Sequence, residues 1–171
     1  MTPEQALGLR DFLVTSLKNE MKTTARVIGA VPDDKASYRP HETSKSAQEL
    51  ADHIATVDVS FLESVIRGSF DNPGGAGAGP MAPSQATSMY QEKMPKLIDR
   101  VATLTGEELA RPVQFYTFNL PAVLYLDFAL RHCIHHRGQL STYLRPMGAK
   151  VPSIYGGSAD EPFDATAASA S

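Results

Sequence analysis

The sequence predicts an all-α fold, a four-helix bundle, and three observations predict it. Apolar residues recur near the 3.6-residue period in four long stretches. Helix-start residues such as Thr2-Pro3 and Ser46 stand ahead of them, with glycine or proline beyond their ends. No alternating apolar and polar run between them makes a convincing sheet. Four helices with one apolar stripe each bury those stripes against one another.

The first helix starts with a hydroxyl cap at Thr2, proline at its first position and an acid at Glu4. Leu9, Phe12, Leu13, Leu17, Met21 and Ile28 carry it to about Gly29. Residues 31–45, with Val31-Pro32-Asp33-Asp34 and Tyr38-Arg39-Pro40-His41, read as an ordered loop. Ser46 and Glu49 fit a capping box for a second helix striped by Leu50, Ile54, Val57, Phe61 and Val65. The glycines and prolines of residues 68–83 read as a flexible surface insert within one domain. A third helix begins near Ser84 and carries Met89, Met94, Leu97, Ile98, Val101 and Leu104; Pro95 predicts a kink or a late start. Leu109 to Asn119 reads as a second loop, extended at Val113–Thr117. Leu120-Pro121 opens the fourth helix, which ends at Pro146-Met147-Gly148. The domain is expected over residues 1–155, with residues 156–171, small and acidic, as a mobile tail.

Composition narrows the function classes. A chain of 171 residues fits one domain with a substantial core. A net charge of −3 and the lack of any Lys/Arg cluster argue against nucleic-acid binding, which needs a basic face. The single cysteine cannot form an internal disulfide. Met1-Thr2-Pro3-Glu4-Gln5 lacks a signal-peptide pattern, and the apolar run Leu120–Leu130 is too short for a bilayer and broken by Asp127. A cytoplasmic protein without membrane partners is the expectation.

Three of the five histidines fall between Arg131 and Leu140. His132 and His136 are spaced i, i+4, which stacks two imidazoles on one helix face and suits two ligands of one ion. Their face continues through Tyr125, Phe128, Ala129, Leu140 and Tyr143, so it turns inward, while Arg131 and Thr142 lie opposite. Of the histidines outside that run, His41 sits in a polar loop and reads as solvated. His53 lies three residues after Leu50 and four before Val57, on the inward stripe of the second helix. The i, i+4 spacing alone fits packed histidines as well as ligands, and a lone inward His53 is better read as a core residue. Together, three inward imidazoles without a shared ion would compete for few acceptors, which favours a metal. Zn²⁺, Ni²⁺ or Fe²⁺ suits such a site, and three ligands leave an open position, the mark of a catalytic centre. A water there reaches a pKa of roughly 7, giving hydrolysis; a thiolate attacking an electrophile would give thiol transfer. No catalytic residue is assigned.

The neighbours read more plainly. His135 lies on a polar flank and would ligate only if the helix were rotated. Cys133 is about 100° round the helix from His132 and is neither ligand nor nucleophile. Gly138 costs roughly 1 kcal/mol against alanine and predicts close backbone packing. Gln139 is a packing residue or a partner beside the site, Arg137 an ion-pair partner for another helix, and Tyr125 and Tyr143 core residues ahead of pocket-lining ones.

The run His132, Cys133, Ile134, His135, His136, Arg137, Gly138, Gln139, Leu140, with Tyr143, Leu144, Arg145 and Gly148 behind it, resembles the DinB/YfiT-like family, regarded as metalloenzymes. Tyr38-Arg39-Pro40 and the segment from Ser46 through Glu49, Leu50 and Ala51 to His53 and Ile54 are similar to that family's loop and second helix. The resemblance covers about residues 5–155. It implies a bundle of up-down-down-up topology, a divalent metal on His53, His132 and His136, and a homodimer. The wider superfamily includes thiol-dependent transferases and isomerases using bacillithiol, mycothiol or glutathione. The expected protein is a metal-dependent thiol transferase or hydrolase using zinc or nickel, a small-molecule substrate and a low-molecular-weight thiol. The rival expectations are a non-catalytic metal-binding module for stress response or interaction, and a metal-free bundle with packed histidines.

Overall fold

The computed structural model describes residues 1–71 and 79–163. Helix α1 (Pro3–Gly29) is followed by a 3-10 turn at Asp33–Lys35, then α2 (Ala47–Arg67), α3 (Pro83–Ala102) and a short α4 (Gly106–Ala110). A hairpin of β1 (Pro112–Phe115) and β2 (Phe118–Pro121) precedes α5 (Leu124–Leu144).

Local chemistry sets the helix ends. Thr2 and Gln5 close a capping box on α1, and Ser46 and Glu49 close another on α2. The start of α3 borrows its cap from the loop: Asp33 accepts from the Ser84 amide at 3.1 Å and from its hydroxyl at 2.6 Å. Pro95 lies inside a continuous α3, so the late start does not occur. At the end of α2, Gly68 takes φ +82°, and a Cβ there would fall 2.0 Å from the Arg111 guanidinium. Arg111 donates to the Val65 and Ile66 carbonyls at 3.3 Å and so closes that helix terminus.

The four long helices form a square in which α2 packs on α3 and α5, and α1 on α3 and α5. Contacts fix the directions. Asp52 meets the Met81 amide, Asp58 meets Tyr90 and Glu63 meets Lys93, so α2 and α3 run parallel. His136 faces His53, and Tyr143 reaches the Lys45 carbonyl, so α5 runs against α2. Arg10 reaches the Leu104 carbonyl, and Lys18 pairs with Asp99, so α1 runs against α3. The order is up-down-down-up. The core is aliphatic, with Leu13, Ile28, Leu50, Ile54, Leu62, Ile98, Leu126 and Leu140 all 2% exposed or less.

Three sequence expectations change. The loop expected over residues 109–119 is the end of α4 and most of the hairpin, whose register pairs Val113 with Leu120 and Phe115 with Phe118. Strands of four residues are too short for periodicity to declare. Leu120-Pro121 ends β2 rather than opening a helix, because the next amides are already used: Ala122 donates to the Arg111 carbonyl at 2.9 Å and Val123 to that of Leu109 at 3.0 Å. The segment expected to be mobile from Gly156 is tied to the bundle, Asp160 to Arg145 at 2.6 Å and Glu161 to Arg26. Residues 72–78 of the expected insert and 164–171 of the tail lie outside the described residues. No helix among the described residues is long and apolar enough to cross a membrane.

Candidate metal centre

His53 projects from α2 and His132 and His136 from α5, and the antiparallel packing of these helices brings the three rings together. The Nε2 atoms converge. That of His53 lies 3.1 Å from His132 Nε2 and 3.2 Å from His136 Nε2. All three residues are half-buried.

The outer nitrogens explain which way the rings face. His132 Nδ1 donates to Asp58 Oδ1 at 2.8 Å, and His136 Nδ1 donates to Gln139 Oε1 at 2.7 Å. A carboxylate and an amide oxygen only accept, so both rings carry their proton on Nδ1 and aim an Nε2 lone pair at His53. Three converging nitrogens then have one proton at most to share between neighbours. A divalent ion resolves that crowding, because separations of 3.1–3.2 Å are those of adjacent ligands at metal–nitrogen bonds of about 2.0–2.1 Å. The donor set therefore fits an ion that accepts three neutral imidazoles.

The electrostatics of His53 and His136 agree with neutral rings. Burial first, then the neighbouring histidines and Lys45, push His53 down to about 4 from its ordinary 6.5. Burial also lowers His136. Asp58 is 1% exposed, and burial pushes its carboxyl up against the opposing hydrogen bonds from His132 and Tyr90. Tyr90 of α3 donates to Asp58 Oδ2 at 3.0 Å, so a chain from α3 through α2 to α5 sets the His132 ring.

Asp58 and Tyr90 were missed from sequence, although Asp58 lies four residues after Ile54 and three before Phe61, inside the apolar stripe. An acid there is the signal that finds it. Gln139 takes the role of partner to His136 rather than of a packing residue, and it is exposed. His41 lies in an exposed loop with Nδ1 2.9 Å from the Thr43 hydroxyl. His135 is exposed beside His136 and is not among the converging donors. Cys133 faces α1, 3.3 Å from the Thr24 hydroxyl, its thiol pushed up to about 12 by burial. Arg137 is buried and pairs with Glu20 of α1. Gly138 does not pack closely: it is exposed, a Cβ there would meet nothing within 4 Å, and nothing in the structure explains the glycine. Tyr125 and Tyr143 are core residues.

The DinB family model matches residues 6–162. Among curated proteins, the chain is 29% identical to Bacillus subtilis YjoA over 148 residues, covering 80% of this chain and 89% of that one. It is 22% identical to Bacillus subtilis YrdA over 152 residues, covering 88% and 90% respectively. The crystal structure of YjoA, a DinB-like protein, superposes with a TM-score of 0.70 at 28% identity, over 84% of this chain and 96% of that one. A DinB-like protein from Bacillus cereus shares the fold, with a TM-score of 0.71 at 20% identity, over 84% and 95%.

Proposed function

The chain belongs to the DinB family, and we propose that within it this protein is a metal-dependent enzyme that uses a low-molecular-weight thiol. His53, His132 and His136 hold one zinc or nickel ion. The observation that carries this reading is the convergence of three Nε2 atoms, two of them aimed by Asp58 and Gln139. When bound, the ion supplies a Lewis acid with an open position that favours the deprotonated form of a thiol or water.

The protein's own residues favour the thiol. Hydrolases commonly pass the proton of their water to a positioned base, even where a metal makes that water acidic. Asp58, the carboxylate bonded to the cluster, is buried and committed to His132 and Tyr90. Nearby on α2, Glu49 caps the helix and Asp52 holds the Met81 amide. A thiol is acidic enough to need less help. The positive charge of Lys45 bears on His53 and His136 and favours the approach of an anionic thiol. The same scarcity of free acid or base supports a second reading, a metal-binding module without turnover. The homodimer belongs to the proposal as well, tested by sedimentation equilibrium.

The test is metal content of untagged protein together with turnover of a thiol and an electrophile. About one ion per chain is expected, lost in His53→Ala and His132→Ala, with turnover lost in His136→Ala. Full turnover in His136→Ala would end the enzyme mechanism. Bound metal with neither turnover nor thiol binding would favour the module, and no metal even after reconstitution would end both.

A further inference from the structure

An apolar cavity of about 500 Å³ lies between α2 and the β1–β2 hairpin, beside the histidine cluster. Its size is that of a small-molecule site, roughly 300–1,000 Å³. Phe61 makes the join, lining the cavity while its ring centroid lies 6.1 Å from that of His132. Phe70 and Phe115, 4.4 Å apart, form an aromatic wall. The charged residue in the lining is Asp71, and no lysine or arginine contributes among the described residues.

The hairpin tip supplies an independent observation. Tyr116 is the one non-glycine residue with positive φ, +48°, among the described residues. Its side chain lines the cavity yet is 84% exposed. Glycine or asparagine would relax that backbone, and what the tyrosine gains locally is an edge contact with the Phe115 ring, 4.7 Å between centroids, which carries the aromatic wall to the rim. A strained, solvent-facing aromatic at the rim of an apolar cavity is placed to meet a bound group.

We infer that this cavity receives an uncharged aromatic group of the substrate, with Tyr116 at its rim and Phe61 between that group and the histidines. The inference rests on the metal-site reading for its place in a reaction, though not for binding itself. Aromatic walls favour a flat ring. An anionic group would be left without a cationic partner and would face the Asp71 carboxylate.

The test is a matched pair of fluorescent probes, N-phenyl-1-naphthylamine and 8-anilino-1-naphthalenesulfonate, which share a ring framework and differ by a sulfonate. The full chain has no tryptophan to interfere. It is titrated as purified and after chelator treatment, with metal measured on the same samples. The neutral probe is expected to bind in both states, at least about tenfold tighter than the sulfonate. Ser60→Phe, which fills the cavity from α2, and Tyr116→Asn, which relaxes the tip, should each weaken it at least about fivefold. Tyr116→Asn should do so without lowering the melting temperature, which separates ligand contact from a structural role. Equal affinity for the two probes, or unchanged binding in both variants, would overturn the inference whatever the metal content. Preferential binding of the neutral probe to protein that takes up no metal would support the cavity while ending the metal reading.

Discussion

Asp58 sits in the apolar stripe of α2 and joins His132 to Tyr90, and its burial gives the cluster its order. A buried carboxylate is tolerable there because both oxygens are hydrogen-bonded. His53 has a consequence for pH. Its imidazole takes a proton near 6.5 in the unfolded chain and near 4 in the folded one, chiefly because burial disfavours the charged ring. Between those values the unfolded state binds more protons, so stability falls as pH falls. Chelator-treated protein is expected to be most stable above 6.5, to weaken steadily towards 4, and to feel nothing further from this group below that. His136, also lowered by burial, acts in the same direction. Urea midpoints across this range check the slope, and His53→Gln should flatten it; an unchanged slope in that variant would assign the effect elsewhere. The three histidines were legible in the sequence because i, i+4 spacing and an apolar stripe both encode direction. Their protonation pattern was not, because it depends on partners distant in the chain, such as Asp58.

Helices α1 and α5 are joined by an ion pair whose arginine is buried and whose glutamate is half-buried. Arg137 is 1% exposed, bonds Glu20 and has its guanidinium 5.1 Å from the centroid of the Tyr155 ring. Removing the guanidinium leaves Glu20 partly buried and bonded to the Tyr155 hydroxyl at 3.0 Å, without its cation, so Arg137→Met is expected to cost about 1–3 kcal/mol of unfolding free energy. Adding Glu20→Gln to it should restore part of that loss, measured by urea denaturation as a double-mutant cycle. Additive losses would show that the two side chains do not act as a pair. At this scale the sequence reads long helices well and short elements poorly. Thr2 and Ser46 mark their caps in a handful of adjacent residues. The hairpin instead depends on Arg111 reaching back to α2 and on Ala122 and Val123 spending their amides on α4 and the residue after it.

For the whole molecule, an ion bound across α2 and α5 binds the folded state and not the unfolded one, so it stabilises by mass action. With free zinc or nickel at a hundred times its dissociation constant, stability should rise about 2.7 kcal/mol. For a chain of this size that is roughly 5–10 °C in melting temperature. Calorimetry with chelator and then with added ion checks it, and an unchanged melting temperature would mean that no ion bridges the helices. The square of helices also decides what the histidines can do, since α2 and α5 must be antiparallel neighbours for His53 to meet His136. By itself the sequence determined the helical class, the four long helices, the family resemblance and the three inward histidines, because periodicity and capping are written in neighbouring residues. Only the tertiary structure decided that their Nε2 atoms converge, that Asp58 and Gln139 set the rings, and that a strained hairpin stands beside an aromatic cavity. Gln139 apart, which stands three residues from His136, those features join residues tens of positions apart, and no local pattern carries them.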